Sequence, residues 1–304
     1  MALARALRRI TGRRPAIVVR PVMGLANRLR AVTSCQALAR HLGLELRVFW
    51  EGGKSFSDDA WHDLFANELP LLDRGQYERA RLGAAIELGL WLGWGDDRPP
   101  HPSYRPERAL EDIRRRGLVW DYGFHNVDKL LARRGAVGAR KLRKLRHQAC
   151  RALRPAPAIA GRVDAFAQEH FSGRRVHGVH IRRGDGLQGP QAESYLRSPD
   201  EAFAVEMQRR LEADPELRFF LATDCEKTLG AFRDRFPGRL LAVDKVFVES
   251  VFDAPKGGQD DAVLDLFLLS RTEEVLGTYA STFGRMGAHI GGVRYRVAGT
   301  DTTY

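Results

Sequence analysis

The chain has 304 residues, 44% of them hydrophobic and 29% charged, an ordinary globular composition with enough length for two domains of about 150 residues, each with its own core. Its 49 Lys and Arg against 38 Asp and Glu leave a formal charge of +11, which favours anionic partners such as nucleotide diphosphates, nucleic acid or a phospholipid surface. No segment approaches the ~20 apolar residues of a spanning helix, the basic start MALARALRRITGRR lacks the apolar core of a secretory signal, and Cys35, Cys150 and Cys225 show no metal-ligand spacing, so a reduced, cytoplasmic setting is expected.

Pro15–Arg20, PAIVVR, reads as a short buried strand that runs into PVMGLAN at 21–27, whose glycine permits a tight strand-to-helix turn. Ala26–Leu42 carries apolar residues at helical spacing and Glu45–Trp50, ELRVFW, is a second strand, so the first fifty residues form a βαβ unit. From about Glu51 to Asn126, tryptophans, prolines and short helical patterns alternate without a repeat, as insertions on an acceptor side would. Arg140–Arg154, RKLRKLRHQACRALR, has no acidic residue. Its apolar stripe under a positive face suits an acidic lipid or polysaccharide surface, and a solvated linker helix explains the same pattern. RPAPAI at 154–159 is a proline-bearing break, placing the domain boundary between 1–155 and 156–304.

Beyond the break the alternation is regular: strands Arg175–Arg182, Leu217–Thr223, Arg239–Val243, Glu274–Tyr279 and Val293–Val297, with helices Asp200–Glu212, Glu226–Phe236, Asp260–Ser270 and Ser281–Ile290. Strands separated by helices predict an α/β fold with a parallel, doubly wound sheet, whose C-terminal strand ends meet ligand. Three ends then converge: His180 to Asp185, Thr223 with Asp224, and Thr278 to Thr282. Two adjacent arginines at such an end, in VHGVHIRRGD at 176–185, suit a diphosphate, and a solvated loop is the plain alternative. TYASTF opens a helix, so its amides and the Ser281 and Thr282 hydroxyls can hold phosphate oxygens, or Ser281 is an ordinary N-cap. Asp265 interrupts the apolar run VLDLFLLS, and a buried carboxylate needs a partner: the N–H edge of a purine, or an internal cation or cap.

HIRRGD at 180–185, FFLATD at 219–224, DLFLLSRTEEVLGTYAST at 265–282 and GLANRLRA at 24–31 together resemble the GDP-fucose-dependent fucosyltransferase superfamily, which includes α1,2, α1,6 and protein O-fucosyltransferases and bacterial members. The resemblance implies a GT-B type fold, two Rossmann-like doubly wound domains facing across a cleft. It also implies an inverting, metal-independent transfer of fucose, or a similar deoxysugar, from a GDP-sugar to a hydroxyl of an oligosaccharide, lipid-linked glycan or polysaccharide. No cofactor is implied beyond the donor, and no Asp-x-Asp pair for Mn²⁺ is present. By the resemblance, Arg182 bonds the β-phosphate and stabilises the leaving GDP, and His180 and Asp265 contact guanine and ribose. Arg183 and Asp185 orient the loop, and Asp224 is a further nucleotide-side residue. Thr278, Ser281 and Thr282 form the phosphate-binding turn, while Gly24, Asn27 and Arg28 line the opposite wall.

The chain departs from the family pattern at the base. Where the α1,6 branch carries a glutamate, this sequence has a position near Pro190, and Gly186 follows Asp185. Glu193 is the nearest carboxylate able to take the acceptor's proton, with Asp185 and Glu51 as alternatives. The same departures support a second class, a non-catalytic nucleotide- or glycan-binding protein of the same fold. Nucleic acid is disfavoured, because the basic cluster has no interleaved aromatics. A peripheral place at the inner face of a membrane, through the 140–154 segment, is compatible with the charge.

Overall fold

The structure is a computed structural model that describes residues 14–52, 59–81, 85–93, 99–123, 125–183, 192–247 and 259–299. Its contacts divide the chain into two compact units, Met1–Glu51 with Glu68–Cys150, and Gly52–Asn67 with Arg151–Tyr304. The chain opens with β1 (Ala16–Arg20), α1 (Leu25–Leu42) and β2 (Glu45–Val48), followed by α2 (Trp61–Leu64) and α3 (Arg74–Arg81). Then come β3 (Ile86–Glu87), α4 (Leu88–Leu92), α5 (Ala109–Arg116), β4 (Leu118–Asp121), α6 (Val127–Arg133) and α7 (Leu142–Arg151).

The first unit holds a parallel sheet in the order β2-β1-β4-β3. β1 is a short apolar run because both its faces are covered. Ile17 and Val19 pack with Val32, Cys35 and Leu38 of α1, while Val18 meets Phe49, Tyr77 and Val119 on the other side. α1 stops at Gly43, which takes the left-handed conformation (φ 65°) and donates its N–H to Ala39 O. α7 realises the expected apolar stripe through Leu142, Ala149 and Cys150. Arg146 lies inside with them, its Nε donating to the buried Asp128 carboxylate at 3.1 and 3.2 Å, so one cation of the basic run is spent on the core.

In the second unit, α8 (Pro157–His170), β5 (Val176–Ile181), α9 (Ala192–Arg197), α10 (Asp200–Ala213) and β6 (Arg218–Thr223) lead to α11 (Glu226–Arg235) and β7 (Leu240–Leu241). α12 (Asp260–Leu269), β8 (Glu274–Gly277), α13 (Phe283–Gly291) and β9 (Arg294–Val297) complete it. The five strands form a parallel sheet ordered β7-β6-β5-β8-β9. Both faces are again dry: Phe219 packs with Phe203, Met207 and Phe232, and Phe220 meets Phe166 and Phe171 with ring centroids 5.6 and 5.8 Å away.

The units differ from the linear division at 155/156. Residues 52–67 join the second unit because Trp61, Leu64 and Phe65 are all but fully buried there and the backbone locks onto the proline-bearing break: Ala66 N donates to Arg154 O, and Ala156 N to Leu64 O. The rest of the stretch read as insertions contains β3 and β4, which extend the first sheet. Among the described residues no helix is long and apolar enough to cross a membrane.

Candidate active site

β5, β6 and β8 lie in parallel register, with Ile181 opposite Thr223 and His180 opposite Gly277, so His180, Arg182, Arg183, Asp224 and Thr278 gather at one C-terminal edge. The chain leaves β5 toward β6 and β7, then returns to the other side of β5 through β8 and β9. The order therefore reverses beside β5, and such a switch point opens a crevice beyond the strand ends.

The adjacent arginines divide there. Arg182 N donates to Thr278 Oγ1 at 3.0 Å, and the Thr278 hydroxyl donates to His180 O at 3.1 Å, so Thr278, fully buried, spends its hydroxyl on extending the strand pairing. The Arg182 guanidinium is one-third exposed and ion-paired with Asp224 at 3.1 Å. Arg183 points inward: Nε donates to Asp200 Oδ1 (2.9 Å), Nη2 to Ser198 O (2.7 Å), and the guanidinium lies 4.7 Å from the Tyr195 ring centroid. Asp224 Oδ1 accepts from Arg183 N at 2.7 Å. One carboxylate thus clamps the backbone of one arginine and the head of the other.

Deeper in the second unit, two polar atoms lack partners among the described residues. They are His180 Nδ1 and Asp265 Oδ1, on side chains 5% and 4% exposed. The His180 ring stacks on Phe283 (5.0 Å, 24°). A Cβ at Gly284 would stand 2.9 Å from His180 Cβ, so glycine there is what lets α13 approach β5. Burial pushes the imidazole down from 6.5 to about 3, against the opposing pull of Asp224, and keeps it neutral. Burial pushes the Asp265 carboxyl up, against Lys245, whose Nζ holds its Oδ2. Lys245 was not expected from the sequence. The signal was there: Val243 is buried and Lys245 and Phe247 half-buried, while Asp244 and Val246 point out, continuing the alternation beyond β7.

The turn before α13 carries Ala280 in the left-handed region (φ 56°), with Ser281 N donating to Thr278 O. This bend delays the helix, so Thr282 rather than Ser281 is the N-cap, and it makes no side-chain cap bond. Met23 (φ 73°) takes the same conformation after β1, and such residues, costing about 1–3 kcal/mol, concentrate at functional turns. That crest holds Gly24, the N-cap of α1. Asn27 Oδ1 accepts from Arg30 Nη2 at 2.8 Å. Arg28 is buried, donates to Met23 O and Glu51 O at 2.7 Å each, and is pushed down to about 10 by burial. Asn27 and Arg28 thus brace their own turn.

The described carboxylates considered as bases are held in ion pairs. Glu193 is exposed on α9 and ion-paired with Arg197 at 2.9 Å. Glu51 takes Arg20 on one oxygen and Arg74 on the other. Asp185, Gly186 and Pro190 lie outside the described residues. Among the described residues no three His, Cys, Asp or Glu side chains come together as a metal site.

The family model of nodulation protein Z, NodZ, matches residues 142–292, the segment that holds this edge. Nodulation protein Z of Sinorhizobium fredii (strain NBRC 101917 / NGR234) is 30% identical over 136 residues, covering 41% of this chain and 42% of that protein. Over that segment the chain is similar to NodZ. Its match spans less than half the length of the curated NodZ proteins, 42% and 37%. In structure, the fucosyltransferase NodZ from Bradyrhizobium aligns with a TM-score of 0.54 at 21% identity, over 90% of this chain and 93% of that one. Arabidopsis thaliana FUT1, a mutant in complex with GDP, gives 0.60 at 13% identity, over 97% and 74%. The kinship with GDP-fucose fucosyltransferases implied by the four motifs is met by the NodZ match, and the fold is of the GT-B type expected.

Proposed function

We propose that this chain is an inverting, metal-independent glycosyltransferase that moves fucose, or a closely similar deoxysugar, from a GDP-sugar to a glycan hydroxyl. What carries the reading is the meeting, in one unit, of an arginine clamped by Asp224 with two buried polar atoms that lack partners among the described residues. The guanidinium suits a leaving diphosphate, and the unpaired atoms suit the polar edge of a purine. A NodZ α-1,6-fucosyltransferase structure has been soaked with GDP-fucose and FUT1 was determined with GDP; the donor class is carried over from them. The acceptor oxygen attacks C1 as the bond from C1 to the phosphate oxygen breaks, and its proton passes to a carboxylate. Negative charge growing on the β-phosphate is met by Arg182 and by the amides that open α13, in the place a divalent cation takes in other transferases. The acceptor is an oligosaccharide, lipid-linked glycan or polysaccharide. The outward cations of 140–154 hold the chain against an acidic inner-membrane surface where that acceptor is assembled.

Calorimetric titration with GDP and UDP tests the donor assignment. GDP is expected to bind at least about tenfold tighter, since a pocket built for one polar edge leaves its own groups unpaired with another; equal affinity sinks the assignment. GDP-fucose incubated without acceptor is expected to release fucose and GDP slowly. Tight GDP binding with no release at all would make this a binding protein rather than an enzyme.

A further inference from the structure

Asp265 presents two different oxygens. Oδ2 is held by Lys245, while Oδ1 has no partner among the described residues and is shut off from water. A buried acceptor left unpaired costs about 1–3 kcal/mol. The second unpaired atom, His180 Nδ1, belongs to the same buried region, where Lys245 acts electrostatically on the imidazole. Lys245 itself is 15% exposed, with its ammonium 5.4 Å from the Phe247 ring centroid.

We propose that Lys245 is a positioning residue that sets which base the pocket accepts. By holding Asp265 as a carboxylate, it keeps Oδ1 an acceptor. The pocket then takes a purine that offers a ring N–H, as guanine does at N1, and rejects adenine, whose N1 is itself an acceptor. The proposal rests on the GDP-sugar reading above and adds to it the residue that enforces base choice. Because both unpaired atoms are shielded, the base enters by displacing part of their cover, and the segment carrying Lys245 is neither helix nor strand.

Among the described residues three charged groups act on Asp265. Lys245 comes from the segment after β7, Asp261 lies one turn earlier on α12, and Arg162 comes from α8. Arg162 is already paired with Asp261 at 2.6 Å. Without Lys245 the burial of Asp265 is nearly unopposed, and its carboxyl keeps its proton to higher pH.

The experiment is titration of Lys245→Met, Lys245→Arg and wild type with GDP and with ADP at pH 6 and pH 8.5. Wild type is expected to prefer GDP by about 100-fold or more at both pH values. Lys245→Met should lose about tenfold or more in GDP affinity at pH 6, regain much of it at pH 8.5, and discriminate poorly against ADP at the lower pH. Lys245→Arg should behave as wild type. Asp265→Asn, which cannot ionise, is the second variant and should bind GDP weakly and equally at both pH values. A Lys245→Met protein that matches wild type in GDP affinity and selectivity overturns the proposal, as does a loss that is the same at both pH values; so does an Asp265→Asn protein that binds GDP as wild type, even should Lys245→Met fail to fold. Wild type that binds GDP and UDP alike overturns the donor reading itself.

Discussion

Arg182 and Arg183 are neighbours of identical chemistry with opposite surroundings. Arg182 keeps part of its guanidinium in the crevice, while the Arg183 side chain is 5% exposed and bonded to Asp200 and Ser198. Substituting each by alanine should therefore separate the two roles. Arg182→Ala is expected to leave the melting temperature within a few degrees of wild type and to weaken GDP binding by about 10- to 100-fold, the worth of a charge-assisted bond. Arg183→Ala should instead lower stability by about 1–3 kcal/mol, read as a lower urea midpoint, because Ser198 O and the Tyr195 face lose their partner. If Arg182→Ala bound GDP and turned over as wild type, its assignment would be wrong. The repeated RR is plain in the sequence, but which guanidinium turns inward is decided by Asp200, Tyr195 and Phe203, all on segments that follow the arginines in the chain.

Most strands and helices of the second unit stand where their apolar periods put them, because parallel strands covered on both faces are nearly continuous apolar runs. β4 is hidden from a reading by periodicity: LVWD is four residues long and follows a run of arginines, so only its place between β1 and β3 identifies it. The place of the 52–67 segment is equally hidden, since its pairing with 154–156 is a long-range contact that no local pattern announces. At α13 the late start follows from Ala280, whose left-handed backbone is invisible in composition. The close packing of this helix on β5 yields a test. Gly284→Ala should favour the isolated helix by about 1 kcal/mol, yet its Cβ would press on His180. GDP affinity is expected to fall about tenfold with an unchanged far-UV circular dichroism spectrum; unaltered affinity would mean that the imbedded His180 ring takes no part in binding.

Across the whole molecule, charge and burial couple stability to pH. His180 and His177 are both held below their ordinary range, chiefly by burial, so the folded protein resists protons that the unfolded chain accepts. The His180 contribution is complete above the unfolded value of about 6.5 and is lost as pH falls toward 3, at up to about 1.4 kcal/mol per pH unit, and His177 adds a loss of the same sign. Urea unfolding at pH 7 and pH 5 should show this loss, and a His180→Phe variant should show a shallower one; identical slopes would refute the assignment. The sequence by itself determined the α/β class, the parallel alternation after residue 156, the anion-seeking charge and the strand-end motif, because periodicity and residue chemistry are local properties. Only the tertiary structure decided that Thr278 spends its hydroxyl on strand pairing, that Lys245 holds Asp265, that Arg146 lies in the core, and that residues 52–67 pack with the second unit. Each of these depends on which side chains distant in sequence are brought into contact and shielded from water. That is settled by packing, and no pattern along the chain encodes it locally.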